Sequence, residues 1–169
     1  MSFQIPENLH PDAAPIAWLL GTWRGNGHGD YPTIEPFQFG QELIFTHDGR
    51  PFFHYFSRSW IIEPETGEKL RESALETGFV RSRMTEPGKA TLEWVMTHST
   101  GIVEIWVGEA ADGKIDVATD AVGRTETAQE YNAGKRLYGN VEGDLLYAFD
   151  MAAMGQALQP HLWARLKRA

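Results

Sequence analysis

The sequence predicts an all-β fold: about ten antiparallel strands in up-and-down order, closed into a barrel, with one short helix in front. Three observations carry this. Apolar and aromatic runs of strand length recur along nearly the whole chain, separated by short turns rich in Gly, Pro, Asp and Glu. Six Trp, nine Phe and five Tyr among 169 residues suit strands and an apolar interior. The first run, Gly21-Thr22-Trp23-Arg24-Gly25-Asn26-Gly27-His28-Gly29, repeats glycine at alternate or near-alternate positions. That is the composition of a strand that bends sharply or lies close against another backbone, or of a glycine-rich turn between two strands. A sandwich of two sheets is the main rival architecture.

Taken in order, residues 1–10 read as a loose lead-in to a single domain spanning 1–169. Residues 10–20, His-Pro-Asp-Ala-Ala-Pro-Ile-Ala-Trp-Leu-Leu, read as one or two helical turns, with Asp12 as the cap and Pro15 in the first turn. The glycine-rich strand follows from Gly21. Within it, Trp23 fits as a plug at one barrel end, its indole N–H wanting one partner. The plug resembles that of lipocalin-like barrels, where an arginine of the last strand commonly covers such a tryptophan, and Arg165 or Arg168 would play that part here by stacking. The stretch is a poor nucleotide loop, because no helical pattern follows and Pro32 and Pro36 come soon after. Further strands are expected at 34–45, ended by His47-Asp48-Gly49, and at 51–63, ended by Glu63-Pro64-Glu65-Thr66-Gly67. The segment 70–84 is more polar and stops at Glu86-Pro87-Gly88. Strands at 91–97, 102–107, 114–122, 127–138, 144–151 and 160–166 complete the set, with Ser99-Thr100-Gly101 and Ala111-Asp112-Gly113 as turns.

Composition removes several classes of function. A formal net charge of −8 argues against nucleic acid and anionic membrane as partners. Without cysteine the chain has no disulfide, thiolate metal site or thiol nucleophile, which suits a reducing cytoplasm. The N-terminus lacks the pattern of a secretory signal, and no apolar run approaches the roughly 20 residues that span a bilayer. Ser57, Ser59 and Ser99 stand in no nucleophile-elbow context, and the acidic residues read as solvated charge on turns and strand faces.

The histidines carry the remaining interest. No HxH or HxxxH spacing marks a metal site. His47 precedes a turn and reads as exposed, and His54 sits in an aromatic strand. His28, near Tyr31 and Thr33, is a secondary pocket candidate, and His98 is another. His161 follows Pro160 in the last strand. Period-two counting puts it on the side of Trp163, Arg165 and Lys167, away from Leu162, Ala164 and Leu166. A bulge or bend after Pro160 would turn it inward. Thr33 reads as closing a turn after Pro32, or as a donor toward a ligand. Met151 and Met154 read as apolar filling.

The stretch Gly21-Thr22-Trp23-Arg24-Gly25-Asn26-Gly27 resembles the GxWxGxG signature of nitrobindins, haem-binding β-barrels similar in shape to lipocalins and fatty-acid-binding proteins. The similarity continues through the segments 28–34, 49–52, 76–81, 100–104, 151–155 and 160–162, in the family's order. The resemblance implies one haem b per chain in a shallow site at the barrel mouth. Ferric haem would isomerise peroxynitrite to nitrate, and ferrous haem would bind nitric oxide. It implies His161 as the axial ligand to iron and Thr33 as a close neighbour of the haem. Two positions depart from the pattern: Ala74 stands where the family often has a distal histidine, and Gln129 where it often has a lysine.

Two functions therefore stand side by side. One is a cytoplasmic haem protein acting on a small molecule through iron on His161, with no catalytic group beyond the metal. The other is a haem-free carrier of a fatty-acid-like or other apolar ligand, which Ala74, Gln129 and the parity of His161 favour. Assembly as a homodimer is open to such a barrel, and no residue picks out its interface.

Overall fold

A computed structural model describes residues 3–169; Met1 and Ser2, the start of the expected lead-in, lie outside the described residues. The chain forms one ten-stranded antiparallel barrel: β1 (Gly21–Tyr31), β2 (Ile34–Thr46), β3 (Phe52–Ile62), β4 (Lys69–Glu86), β5 (Lys89–His98), β6 (Ile102–Ala111), β7 (Lys114–Arg124), β8 (Tyr131–Val141), β9 (Asp144–Ala153) and β10 (Gln159–Arg168). Every strand pairs with its neighbour in sequence, and β1 pairs with β10 to close the ring. The rival sandwich is thereby set aside. No helix among the described residues is long and apolar enough to cross a membrane.

Up-and-down connectivity sorts the turns onto two ends. The connections before β3, β5, β7 and β9 lie at the end that also receives the 3-10 helix Pro11–Leu19. This end is shut. Ala13, Ile16 and Leu19 of the helix are fully buried in one cluster with Trp23, Phe45, Leu92 and Leu166. The Trp23 indole donates to the Leu19 carbonyl at 2.8 Å. The Arg168 guanidinium lies 4.1 Å from the centre of the Trp23 ring and donates to the carbonyls of Trp18 and Leu20. Trp23 is thus the plug that the sequence suggests, and of the two arginines it is Arg168 that covers it. The helix is capped by His10, whose ring nitrogen accepts from Asp12 N–H, whereas Asp12 uses its carboxylate on the Met84 N–H. The expectation of an Asp12 cap is corrected on that point: the helix begins at Pro11, two residues earlier than an Asp12 cap implies, which moves the cap to His10.

The other end carries the connections after β1, β3, β5, β7 and β9, and it opens into the interior. Two features of the wall shape that opening. Glycines in β1 admit close neighbours: a Cβ on Gly27 would lie 2.5 Å from both the Phe39 ring and the Trp163 carbonyl, and one on Gly29 would lie 2.1 Å from the Phe37 ring. The strand can therefore hug β10 and let two phenyl rings lie over it. Between β7 and β8 the ladder runs only from Lys114 opposite Gly139 to Ala118 opposite Lys135. Beyond it the Thr119 hydroxyl accepts from the Gly134 N–H at 3.0 Å, and the strands separate toward the loop 125–130. The strand expected at 127–138 accordingly begins only at Tyr131.

Candidate functional site

The open end leads into a cavity of about 560 Å³ that runs from the turns down to a belt of polar side chains across the middle of the barrel. This is within the usual range for a small-molecule site. Its upper wall is aromatic, with Tyr31, Phe37 and Phe149 among the lining residues.

His161 enters this wall through a bulge. Pro160 lies opposite Asp150 and Leu162 opposite Phe149, so His161 is an extra residue in β10. Across the seam, β1 breaks register between Gly29 and Tyr31. An extra residue cancels the alternation that would have pointed the imidazole outward. The ring instead sits among Tyr31, Phe37 and Phe149, at centroid distances of 5.4, 6.4 and 5.7 Å, each edge-on. Its Nδ1 lies 3.0 Å from the Asp30 carbonyl, the group freed by the break in β1. A carbonyl only accepts, so Nδ1 carries the hydrogen and Nε2 keeps its lone pair. Burial holds the imidazole pKa below its usual value; the Asp30 carbonyl opposes this, and the positive charge of Arg136 adds to it. The side chain is thus kept neutral, as a metal ligand must be.

Thr33, Ala74 and Gln129 line the same cavity as His161. Thr33 occupies the turn after β1, exposed at the rim. Ala74 is exposed near the start of β4, and Gln129 is exposed in the loop 125–130. His28 lies elsewhere: it is exposed on the outer face of β1, stacked 4.3 Å from the Trp163 ring. It borders a separate groove outside the wall, which His161 also lines. Alternation along β1 explains this, since Gly27 and Gly29 face inward and His28 cannot. Among the remaining histidines, His54 meets Thr77 on the outer face. His47 is half-buried against Phe53 rather than exposed, because its ring folds back to accept from the Gly49 N–H. No group of three His, Cys, Asp or Glu side chains among the described residues is placed to hold a bare metal ion.

Of the belt below, the sequence reading singled out only His98. Arg136, 5% exposed, donates through Nη1 and Nη2 to the two oxygens of Glu76 at 3.1 and 2.7 Å. The Tyr55 hydroxyl donates to Glu76 at 3.0 Å, and Arg136 also reaches the Tyr138 oxygen at 3.2 Å. The Arg136 guanidinium lies 4.9 Å from the centre of the Trp106 ring and 4.6 Å from that of Phe149. His98, the second pocket candidate, stands in this belt, with Nδ1 3.3 Å from Glu76 and Nε2 2.5 Å from Glu104. Gln41 joins Ser57 and the Tyr147 hydroxyl. Burial pushes the Glu76 carboxyl up, but the Arg136 charge and hydrogen bonds outweigh it and bring the pKa down to about 2. The signal was present as parity: Glu104 lies two residues from Ile102 and Trp106, and Arg136 two residues from Tyr138, on the inward side of each strand.

The THAP4-like, heme-binding beta-barrel domain family matches the chain over residues 12–168. The chain belongs to that family. A peroxynitrite isomerase of Nocardioides sp. is 67% identical over 168 residues, 99% of each chain. A ferric nitrobindin-like protein of Cutibacterium acnes is 42% identical over the whole of both chains. The crystal structure of Rv2717c from M. tuberculosis superposes with a TM-score of 0.80 at 36% identity, covering 95% of this chain and 99% of that one. The nitrobindin resemblance and the barrel expected from it therefore hold, and haem is the ligand of the family. The residues at the mouth fit such a group: an imidazole with an unshared pair on Nε2, fixed from behind and flanked by ring edges, suits a flat, largely apolar macrocycle carrying iron.

Proposed function

We propose that this protein holds one haem b per chain at the barrel mouth through His161 Nε2 and acts as a peroxynitrite isomerase. When bound, ferric haem supplies the isomerisation of peroxynitrite to nitrate, and ferrous haem the binding of nitric oxide. The observation that carries the reading is the neutral, back-pinned imidazole in an aromatic cavity. The 67% identity to a relative named peroxynitrite isomerase supports the reaction.

Each residue then has a part. The Asp30 carbonyl fixes the tautomer and plane of His161. Tyr31, Phe37 and Phe149 exclude water and restrict ring rotation. Thr33 and Gln129, polar and exposed at the rim, would meet the solvent-facing edge of the ligand. Ala74 brings a methyl to the cavity and no donor, so a bound diatomic gains no hydrogen bond from that position. His28, on the outer face, is given no direct contact. A cytoplasmic location and a homodimer belong to the same reading, to be read by cell fractionation and sedimentation.

A fatty-acid carrier is disfavoured by charge. The buried guanidinium that would meet a carboxylate is already paired at both Nη atoms with Glu76. Titration with hemin tests the proposal: wild type should develop a shifted Soret band saturating at one equivalent, and His161→Ala should lose that band position. Absence of stoichiometric uptake by wild type removes the haem reading, and an unchanged spectrum in His161→Ala removes the ligand assignment.

A further inference from the structure

The belt beneath the mouth leaves Arg136 Nε without a partner among the described residues, and Glu104 Oε1 and the Tyr131 hydroxyl with none but each other. All three side chains line the cavity, and they are 5%, 2% and 7% exposed. They are neighbours. The Glu104 charge acts directly on the Tyr131 phenol. The Tyr131 oxygen and the rings of Trp106 and Phe149 all meet at Gly134, the same two rings against which Arg136 packs. A buried polar atom left unpaired costs about 1–3 kcal/mol, so a guanidinium N–H with no acceptor, beside a phenol and a carboxylate oxygen that have only each other, marks a place where something binds.

The chemistry of the three selects the occupant. Arg136 Nε and Tyr131 offer hydrogens, and Glu104 Oε1 accepts one. The surroundings hold two carboxylates, one guanidinium and one imidazole, so no excess positive charge awaits an anion. Above them stand Phe39, Ile102 and Phe149. A hydroxyl on a flat apolar body meets every requirement: its oxygen accepts from Arg136 or Tyr131, its hydrogen goes to Glu104, and its ring packs on the phenyl walls. We propose that the cavity floor is a second binding site, for a neutral hydroxyl-bearing aromatic molecule, formed by Arg136, Glu104 and Tyr131.

Phenol and benzoate, rings of similar size that differ in charge, test this on haem-free protein, so the outcome is independent of whether His161 binds iron. Amide spectra recorded during titration should show saturable phenol binding, with shifts centred on Glu104, Tyr131 and Arg136. Benzoate should bind at least about tenfold more weakly, since its charge meets no free cation. Tyr131→Phe removes one oxygen and should weaken phenol by roughly three- to tenfold, as should Glu104→Gln, with the melting temperature of each variant checking the fold. The proposal is overturned if phenol does not saturate, if its shifts fall at Thr33 and Gln129 instead, if benzoate binds as well, or if both folded variants bind phenol like wild type.

Discussion

Glu76 and His161 both make the molecule sensitive to acid. The Glu76 carboxyl titrates near 2 when folded, against an ordinary value of 4.5, so its ionised form is favoured by folding. Its contribution is complete above pH 4.5 and is lost as pH falls toward 2, amounting to about 3 kcal/mol at most. Urea unfolding across that window should show the decline. Glu76→Gln should lower stability by about 3–5 kcal/mol at neutral pH, because Arg136 is left buried and unpaired, and should flatten the acid slope. His161 adds a second dependence of the same sign. Its pKa is lowered from 6.5, so the neutral ring is the folded form, and protonation at lower pH competes with iron. Hemin affinity should therefore fall as the solution is acidified below that range, and His161→Ala should lose both the affinity and its pH dependence. The acids of the belt were read from sequence as solvated charge, although Glu76 and Glu104 sit at inward positions of their strands. Alternation was visible; that opposite charges from β4 and β8 meet inside the ring was not, since pairing across a barrel has no local trace.

Among the elements, the closed end was legible and the bulge was not. The apolar run before Gly21 announced a short helix and Trp23 a plug, and the resemblance to lipocalin-like barrels supplied the covering arginine; that the helix packs on the plug appears only in the fold. Arg168→Ala removes that cover and two hydrogen bonds to carbonyls at the end of the helix. It should cost about 1–3 kcal/mol and raise proteolytic cleavage within residues 11–20, measured by mass spectrometry against wild type. In β10, period-two counting gave His161 the wrong face, and only an extra residue repairs it. That irregularity is a slip of register against β9, a property of the pairing, so the local pattern of β10 could not announce it. Gly29→Val tests the same corner. Its branched side chain would enter the Phe37 ring, displace one wall around His161 and lower hemin affinity by about tenfold or more. Retained affinity would show that the phenyl wall is dispensable.

At the scale of the molecule, about ten strands were legible from spacing and turn chemistry, which left a sandwich as the rival to the barrel, and the two-residue turn at Asp112-Gly113, both with positive φ, is typical. What spacing could not disclose is that the ring is unevenly stitched. The ladder of β7 with β8 ends at Ala118 opposite Lys135, and above that point one hydroxyl, Thr119, bridges the two edges. A cylinder fails along its weakest seam. Amide hydrogens of Asp120 and Val122 should exchange with solvent faster than those of Trp94 and Trp106 in the same barrel, and Thr119→Ala should widen the difference. A rigid disc too broad for the resting rim would then have a hinge at this seam, so the slit, and not the imidazole, would govern how quickly cargo docks.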